Sequence, residues 1–330
     1  MRSPDPLPFP LDRQPFTVVQ ARQRGLSRSR SRADDLLLPS QGIRMPKFAD
    51  VNLLEECRVH VAATPGSFVS HLTAAKLHGL YLPLRYESVQ PLDLSRRRGE
   101  PQPRRKNVNG HNVLLDKFDL MVMAGVPVTR VERTLLDLAP LLGVDELVAL
   151  ADQIVCAHDG ICVPFKQPML ELDELKPYVA GHAGWRGMNK LRAAMEFVRV
   201  GSDSPPETAL RLLIDGSPLP TFEHNVKLRD AAGHELVQPD LSCKEYRTCA
   251  EYDGGLHFSP EQQSKDHNRN YLTKELGWHQ VVLNKADIRA GELVVVTKIA
   301  RILRQAGWPD PHNLAGRSLE GLLGKRRGLV

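Results

Sequence analysis

Cysteine is scarce in this chain, and its spacing excludes two kinds of small-domain framework. The five cysteines are odd in number and form no C-x-x-C pair. Neither a disulfide scaffold nor a zinc ribbon is therefore indicated. Cys156, His158 and Cys162 form the one group whose spacing hints at a metal site. Because no clear fourth ligand accompanies them, we interpret this group as structural or incidental.

Long apolar runs are also missing. No stretch approaches 18 apolar residues, and no apolar segment follows the basic residues near the N-terminus as it would in a signal peptide. We therefore expect a cytoplasmic protein without membrane association.

The chain has 330 residues, of which 42% are hydrophobic. It is therefore long enough for two or three domains with hydrophobic cores. Its formal net charge is +5 at pH 7. A basic balance of this size fits a polyanionic partner, although it does not require one.

Three carboxylates lie close together on a predicted pair of strands. We expect strands over Leu236–Ser242 and Tyr246–Asp253, joined by a short turn that brings Asp240 toward the second strand. Residues two apart in a strand point to the same face, so Glu251 and Asp253 project together. Such neighbours would repel one another unless a cation neutralised them. Asp240, Glu251 and Asp253 are therefore candidate ligands of Mg²⁺ or Mn²⁺, with a solvated acidic face as the alternative.

A fourth carboxylate, Glu207, precedes them at the start of a predicted helix. Ser204 is a suitable N-cap, and prolines occupy the first helical positions. Ser-x-x-Glu is a capping box, so Glu207 either caps the helix or joins the acidic group.

From Ser202 to about Arg304, the chain resembles the C-terminal domain of a large actinobacterial family, the domain of unknown function 559. That family is related to very-short-patch-repair endonucleases and to the PD-(D/E)XK nuclease superfamily. The matching residues are Ser204 to Thr208, Pro239, Asp240, Ala250 to Gly254, His257, Gln262, Asp266, Arg269, Gly277 and Trp278.

The resemblance implies roles for several residues. Asp240 and Glu251 would bind the metal, and Glu207 would assist. The superfamily's catalytic lysine would fall at Asp253, which is a departure. His257 would then be the proton-transfer group or else a loop residue. Candidate supporting residues, which would line the same cleft or be solvated, are Gln262, Asp266 and Arg269.

The N-terminal segment has the pattern of a winged helix-turn-helix. We expect a helix over Phe16–Arg22 capped by Thr17, a second helix from Arg28 to about Asp35, and a hairpin over Leu36–Met45. The arginines that the second helix would carry to DNA are Arg28, Arg30 and Arg32. A flexible basic arm is the alternative.

This segment and the middle of the chain are similar to type IV antitoxins of the AbiEi kind. The residues that carry the similarity in the middle are Ser70–Leu80 and Gly125–Ala139, both predicted as mainly helical. Thr129-x-x-Glu132 reads as a second capping box. Arg130 and Arg133 would lie on a salt-bridged helix surface, or face DNA or the nuclease-like domain.

Two basic clusters flank prolines between these helices, at Arg96 to Arg98 and Arg104 to Lys106. They form a mobile loop or contact phosphate, with Arg97 and Arg105 as the candidate DNA contacts.

The sequence thus predicts an α/β (α+β) protein in five segments. A winged helix-turn-helix (1–50) and a mostly helical antitoxin-like region (51–155) lead through a connecting segment (156–200) to a restriction-endonuclease-like α-β-β-β-α-β core with a mixed sheet (201–306). A C-terminal tail (307–330) follows.

The expected activity is metal-dependent hydrolysis of DNA phosphodiester bonds, in repair or in defence against phage and mobile elements. Three alternatives stay open: a retired nuclease fold serving as a DNA-binding regulator, the same fold serving as an antitoxin, and an RNA-processing nuclease. We expect DNA as the partner rather than RNA, and a homodimer is compatible with the sequence.

Overall fold

The chain divides into two compact units, each with its own sheets. The computed structural model describes residues 4–88, 91–254 and 260–318, without the side chains of residues 260–266. The first unit comprises Met1–Leu142 and His182–Met188, and the second comprises Gly143–Gly181 and Asn189–Val330. Helices and strands occur in both, which confirms the α+β class. Among the described residues, no helix is long and apolar enough to cross a membrane.

The first unit alternates short strands with short helices. Its elements are β1 (Phe16–Thr17), α1 (Val18–Gln23), β2 (Leu36–Leu37), β3 (Ile43–Pro46), α2 (Leu53–Ala62), β4 (Phe68–Val69), α3 (His71–Leu77), β5 (Leu92–Arg97), β6 (Val108–Val113), β7 (Leu120–Met123), β8 (Val126–Thr129) and α4 (Val131–Leu138). Single turns of 3₁₀-helix lie at Arg30–Arg32 and Leu84–Tyr86.

The predicted first helix and hairpin of the N-terminal segment are confirmed. Thr17 caps α1: its Oγ1 accepts a hydrogen bond from the Gln20 amide at 3.1 Å, while the Gln20 side chain accepts one from the Thr17 amide at 2.8 Å. This reciprocal pair is a capping box. β2 and β3 are antiparallel, and β1 pairs with the other edge of β3.

The predicted second helix, from Arg28 to about Asp35, is wrong. Only Arg30–Arg32 is helical, as one 3₁₀ turn, and the chain is extended again at Ala33. The Ser27 side chain accepts a hydrogen bond from the Arg30 amide at 3.1 Å. Serine side chains that bind nearby backbone favour turns over helix interiors, which explains the early end. The arginines here therefore sit on a turn.

A five-stranded sheet occupies the middle of the first unit, in the order β6-β5-β4-β8-β7. The pairs β5–β6 and β4–β8 are parallel, whereas β4–β5 and β7–β8 are antiparallel. The prediction of a mostly helical region is therefore wrong. β5 alternates apolar and polar residues over its first four positions, from Leu92 to Ser95, and all four of them are buried.

The two predicted helices of this region are present, although one begins differently. α3 ends before Gly79, whose φ of +70° gives the left-handed turn. The capping box predicted at Thr129 is wrong, because Arg130 occupies the cap position of α4. Thr129 Oγ1 lies 2.8 Å from Thr134 Oγ1, and Glu132 accepts a hydrogen bond from Arg130 Nε at 2.7 Å.

Arg133, predicted to lie on a surface, is buried instead, with 2% of its side chain exposed. Its guanidinium forms ion pairs with Asp119 at 2.8 Å and with Asp137 at 2.9 Å. It also lies over the ring of Trp185 at 4.8 Å. Arg133 therefore links Asp119 and Asp137 in the interior of the first unit.

In the second unit, helices precede and follow the strands of a small sheet along the chain. Its elements are α5 (Val144–Val155), α6 (Leu172–Gly181), α7 (Met188–Met195), α8 (Pro205–Asp215), β9 (Leu228–Arg229), β10 (Glu235–Val237), β11 (Leu241–Cys243), β12 (Thr248–Asp253), α9 (Pro260–Glu275), β13 (His279–Asn284), α10 (Lys285–Ala290) and α11 (Glu292–Gln305). Met188, the first residue of α7, belongs to the first unit.

The sheet of the second unit is mixed, as predicted, with the order β11-β12-β13. β11 and β12 are antiparallel, with Leu241 opposite Ala250, and β12 and β13 are parallel. The strand predicted over Leu236–Ser242 is broken into β10 and β11. Pro239 lies in the gap and has no N–H to donate to a ladder, which explains the break. β10 pairs with β9 in a separate hairpin.

One face of this sheet packs on α8, α10 and α11. Leu210 of α8, Ala250 of β12 and Ile299 of α11 are all buried in that core. β13 ends at Asn284, and Asp287 lies in α10. Part of the predicted tail is packed rather than loose, since Trp308 and Leu314 are buried in the same core.

Candidate functional site

Asp240 and Glu251 face each other across β11 and β12. Extending the register of Leu241 and Ala250 by one residue brings Asp240 opposite Glu251. The Tyr252 amide donates to Asp240 Oδ2 at 2.8 Å, which holds the Asp240 carboxylate beside β12. Burial raises the pKa of Asp240, and the hydrogen bond from the Tyr252 amide only partly opposes this rise. The predicted approach of these two residues is present in the fold.

Glu251 is buried, with 9% of its surface exposed. Its Oε1 lies 3.1 Å from Arg269 Nη2 of α9, although no well-aligned hydrogen bond reaches that oxygen. Burial raises the pKa of Glu251, while Arg269 opposes the rise and Asp240 adds to it. Arg269, one of the predicted supporting residues, thus lies at the acidic pair.

Glu207 sits on the first turn of α8 and folds back on the residues before it. Its Oε2 accepts a hydrogen bond from the Asp203 amide at 2.8 Å, and its Oε1 accepts one from Ser204 Oγ at 2.7 Å. Burial raises the pKa of Glu207 to about 7, with a further contribution from the charge of Asp240. The predicted capping box is not formed, because Ser204 makes no side-chain cap hydrogen bond and Glu207 accepts from the Asp203 amide and the Ser204 hydroxyl instead. Glu207 belongs electrostatically to the acidic group.

The remaining predicted site residues are less closely tied to this group. Asp253 is the last residue of β12, on the strand face of Glu251, and is exposed. His257 lies outside the described residues. Gln262 and Asp266 lie on α9, but their side chains are outside the description.

The donor set at Asp240 and Glu251 suits a hard cation. Both offer carboxylate oxygens, and Glu251 Oε1 is a buried acceptor without a hydrogen bond. Across the described part of the chain, two groups bring three ligand atoms within 4.8 Å of one another, and neither includes Asp240, Glu251 or Asp253. Those groups are Cys156, His158 and Asp203 in the second unit and Asp116, Asp119 and His182 in the first.

The five arginines predicted to contact DNA fall into two sets. The exposed ones are Arg28, Arg32 and Arg97. Arg30 forms an ion pair with Asp35 at 2.7 Å and has 10% of its side chain exposed. Arg105 donates to the carbonyl oxygens of Ala63, at 2.9 Å, and Gln41. Both guanidiniums therefore have protein partners.

Asp203 was missed by the sequence reasoning. Its carboxylate accepts hydrogen bonds from His158 Nε2 at 2.6 Å and from Lys166 Nζ at 2.7 Å. The spacing of Cys156 and His158 gave a hint of this cluster. Their partner is more than 40 residues further along the chain, where only the fold could find it.

A buried polar group in the first unit was missed as well. The rings of His71 and His111 stack with their centroids 3.8 Å apart. His111 Nε2 lies 2.9 Å from Asp93 Oδ1, and burial lowers the pKa of His71. Their separation in sequence gave no signal for this contact.

Comparison of the chain with protein-family models, with curated proteins and with solved structures found no match.

Proposed function

We propose that the protein is a metal-dependent endonuclease that hydrolyses phosphodiester bonds in DNA through its second unit. The observation that carries the proposal is the approach of Asp240 to Glu251, with Glu207 near enough for Asp240 to raise its pKa. Half-buried carboxyls that repel one another are stable when protonated or when a cation binds them. The proposal includes a restriction-endonuclease-like core for the second unit.

Asp240 and Glu251 would hold a Mg²⁺ or Mn²⁺ ion, with Asp253 beside them on the exposed end of β12. Such an ion supplies Lewis acidity at a phosphate oxygen and lowers the pKa of a water molecule. The carboxylates themselves orient the ion. Their burial makes each interaction stronger than it would be in bulk water.

Glu207 has the properties of a general base. With a pKa of about 7, it is partly ionised at neutral pH and can accept a proton from an attacking water. Its two hydrogen bonds from Asp203 and Ser204 fix the carboxyl, and each oxygen keeps a further lone pair for that proton. Cleavage should therefore increase as pH rises through 7. His257 is the other proposed proton-transfer group.

Arg269 offers the positive charge that Asp253 cannot. Its guanidinium contacts Glu251 and is about one third exposed, so phosphate oxygens could reach it. A guanidinium next to a scissile phosphate stabilises the charge that develops in the transition state. We therefore assign Arg269 the electrostatic role, with Gln262 and Asp266 as supporting residues of the same helix.

DNA affinity would come from exposed arginines of the first unit. Arg28 and Arg32 lie on the N-terminal turn, and Arg97 ends β5. Contacts of this kind recognise phosphates and carry little sequence information. The chemistry is compatible with repair and with defence against phage or mobile elements.

A DNA-binding regulator or antitoxin is the second candidate. It is favoured by the departure at Asp253, which is acidic and exposed where related nucleases would have lysine. The ion pair between Arg269 and Glu251 also gives Glu251 an internal cation. In this case, replacing Asp240 and Glu251 would leave DNA binding intact.

The experiment is a cleavage assay with the full-length protein on supercoiled, mismatched and single-stranded DNA and on RNA, in Mg²⁺ or Mn²⁺. Glu251→Gln should abolish cutting, and Glu207→Gln should remove the increase with pH. Glu223→Gln is the matched control, because Glu223 is exposed and pairs with exposed Lys244. Unchanged cutting by Glu251→Gln would reject the site, and preferential cutting of RNA would reject the substrate.

A further inference from the structure

A second cluster of ligand atoms lies in the same unit and plays no part in the proposed cleavage. Cys156 and His158 follow the end of α5, and Asp203 immediately precedes Ser204, the residue before α8. Cys156 Sγ lies 3.6 Å from His158 Nε2 and 3.3 Å from Asp203 Oδ1. Cys156 and the His158 side chain are buried. A thiol, an imidazole and a carboxylate thus converge on one point.

We propose that Cys156, His158 and Asp203 form a site for a borderline-soft divalent cation of the Zn²⁺ type. Sulfur, nitrogen and oxygen donors in this combination suit zinc better than magnesium or calcium, which prefer oxygen alone. One thiolate and one carboxylate would balance the charge of the ion. Three protein ligands leave a fourth position for water.

Two of the three separations between the ligand atoms fit tetrahedral coordination. Zinc with bonds of about 2.3 Å to sulfur and about 2.0 Å to nitrogen or oxygen separates the sulfur from either partner by about 3.5 Å. The two sulfur separations, 3.6 and 3.3 Å, agree with that geometry. His158 and Asp203 are closer together, at 2.6 Å, because a hydrogen bond joins them. Opening this one contact completes the site.

Lys166 occupies the cationic position in this cluster. Its Nζ lies 2.7 Å from Asp203 Oδ1, and it also interacts with the Cys156 thiol. Two of the three ligands therefore already bind a positive charge, supplied by a side chain that is about one third exposed. Because the ammonium can move into solvent on its flexible chain, the divalent ion and Lys166 compete for the same ligands.

Binding would couple this cluster to the start of α8. The amide of Asp203 donates to Glu207, so fixing Asp203 also fixes the partner of that carboxyl. The inference goes beyond the proposed nuclease and does not depend on it, because its test reads metal binding alone.

The test uses the full-length protein after removal of metals with a chelator. Co²⁺ is added as a spectroscopic substitute for Zn²⁺, and zinc affinity is measured by competition with a coloured chelator. We expect one equivalent of Co²⁺ to give a near-ultraviolet sulfur-to-cobalt charge-transfer band. Cys156→Ser should abolish that band and weaken zinc binding at least 100-fold, and Asp203→Asn should weaken it at least tenfold. Lys166→Met should strengthen it at least tenfold.

Cys162→Ser is the matched control, because Cys162 is close in sequence but outside the cluster. It should leave the band and the affinity unchanged. Far-ultraviolet circular dichroism reports the folding of each variant, and Lys166→Met tests the site even if Cys156→Ser does not fold. A wild-type protein without the band, or a zinc affinity that is the same in Lys166→Met and wild type, would overturn the proposal.

Discussion

Glu207→Gln should stabilise the protein at alkaline pH and have little effect at acidic pH. In the native state the pKa of Glu207 rises from its ordinary 4.5 to about 7, chiefly because the carboxyl is buried. The native state therefore binds this proton more tightly than the unfolded chain does. As pH rises from about 4.5 to 7, the free energy of unfolding falls, and above 7 the whole contribution is lost.

The size of the effect follows from the shift. One pKa unit corresponds to about 1.4 kcal/mol, so the ionised Glu207 costs on the order of 3 kcal/mol at pH 8.5. Glutamine keeps the local contacts, since its oxygen can accept from the Asp203 amide and its amide can donate to Ser204 Oγ. The variant should thus be more stable than wild type by about that amount at pH 8.5, and nearly equal to it at pH 4.5.

Urea unfolding at both pH values, followed by circular dichroism and tryptophan fluorescence, measures this difference. Glu223→Gln, the same change at an exposed residue, should alter stability by less than about 1 kcal/mol at either pH. A Glu207→Gln effect of equal size at pH 4.5 and pH 8.5 would refute the reasoning, because the native pKa of Glu207 would then not be raised above its ordinary value.

Three further predictions use the same measurements or simple binding assays. Arg133→Met should destabilise the first unit by about 3–5 kcal/mol in urea, because Asp119 and Asp137 would stay buried without their cation, whereas exposed Arg130→Met should cost less than about 1 kcal/mol; equal costs would contradict the internal role of Arg133. Burial lowers the pKa of His224 to about 4, so between pH 6.5 and 4 only the unfolded chain gains the proton. The free energy of unfolding of wild type should therefore fall by on the order of 3 kcal/mol over this range. His224→Gln should remove that fall. A pH slope unchanged in that variant would reject this role. In DNA binding followed by fluorescence anisotropy, Arg28→Ala and Arg32→Ala should each reduce the steepness of log affinity against log salt by about 0.9. Arg30→Ala should reduce it by less, since Arg30 pairs with Asp35. Equal slopes in the three variants would contradict this difference between the exposed arginines and Arg30.

Local signals in the sequence predicted several parts of this fold. Thr17 caps α1 through the amide of Gln20, three residues further along, so no tertiary contact was needed to predict the cap. The short turn between the two predicted strands likewise indicated that Asp240 would approach Glu251. Most of the candidate acidic group could be predicted for this reason.

Tertiary contacts decided the rest. Arg133 lies on a helix with acidic residues nearby, and only the packing of Asp119 and Trp185 around it shows that it is buried. β5 alternates over Leu92 to Ser95, but its last residues belong to the basic cluster at Arg96 to Arg98, whose neighbouring prolines favoured a loop. Asp203 joins Cys156 across nearly 50 residues, a separation at which no sequence pattern operates.

The central claim is tested most directly by nicking of supercoiled plasmid in Mn²⁺ with wild type and Asp240→Asn in parallel. Asparagine keeps the shape of the side chain and removes the charge. We expect metal-dependent nicking by wild type and a loss of at least 100-fold in the variant, with DNA affinity unchanged. Equal nicking by both proteins, or DNA binding by wild type without any nicking, would contradict it.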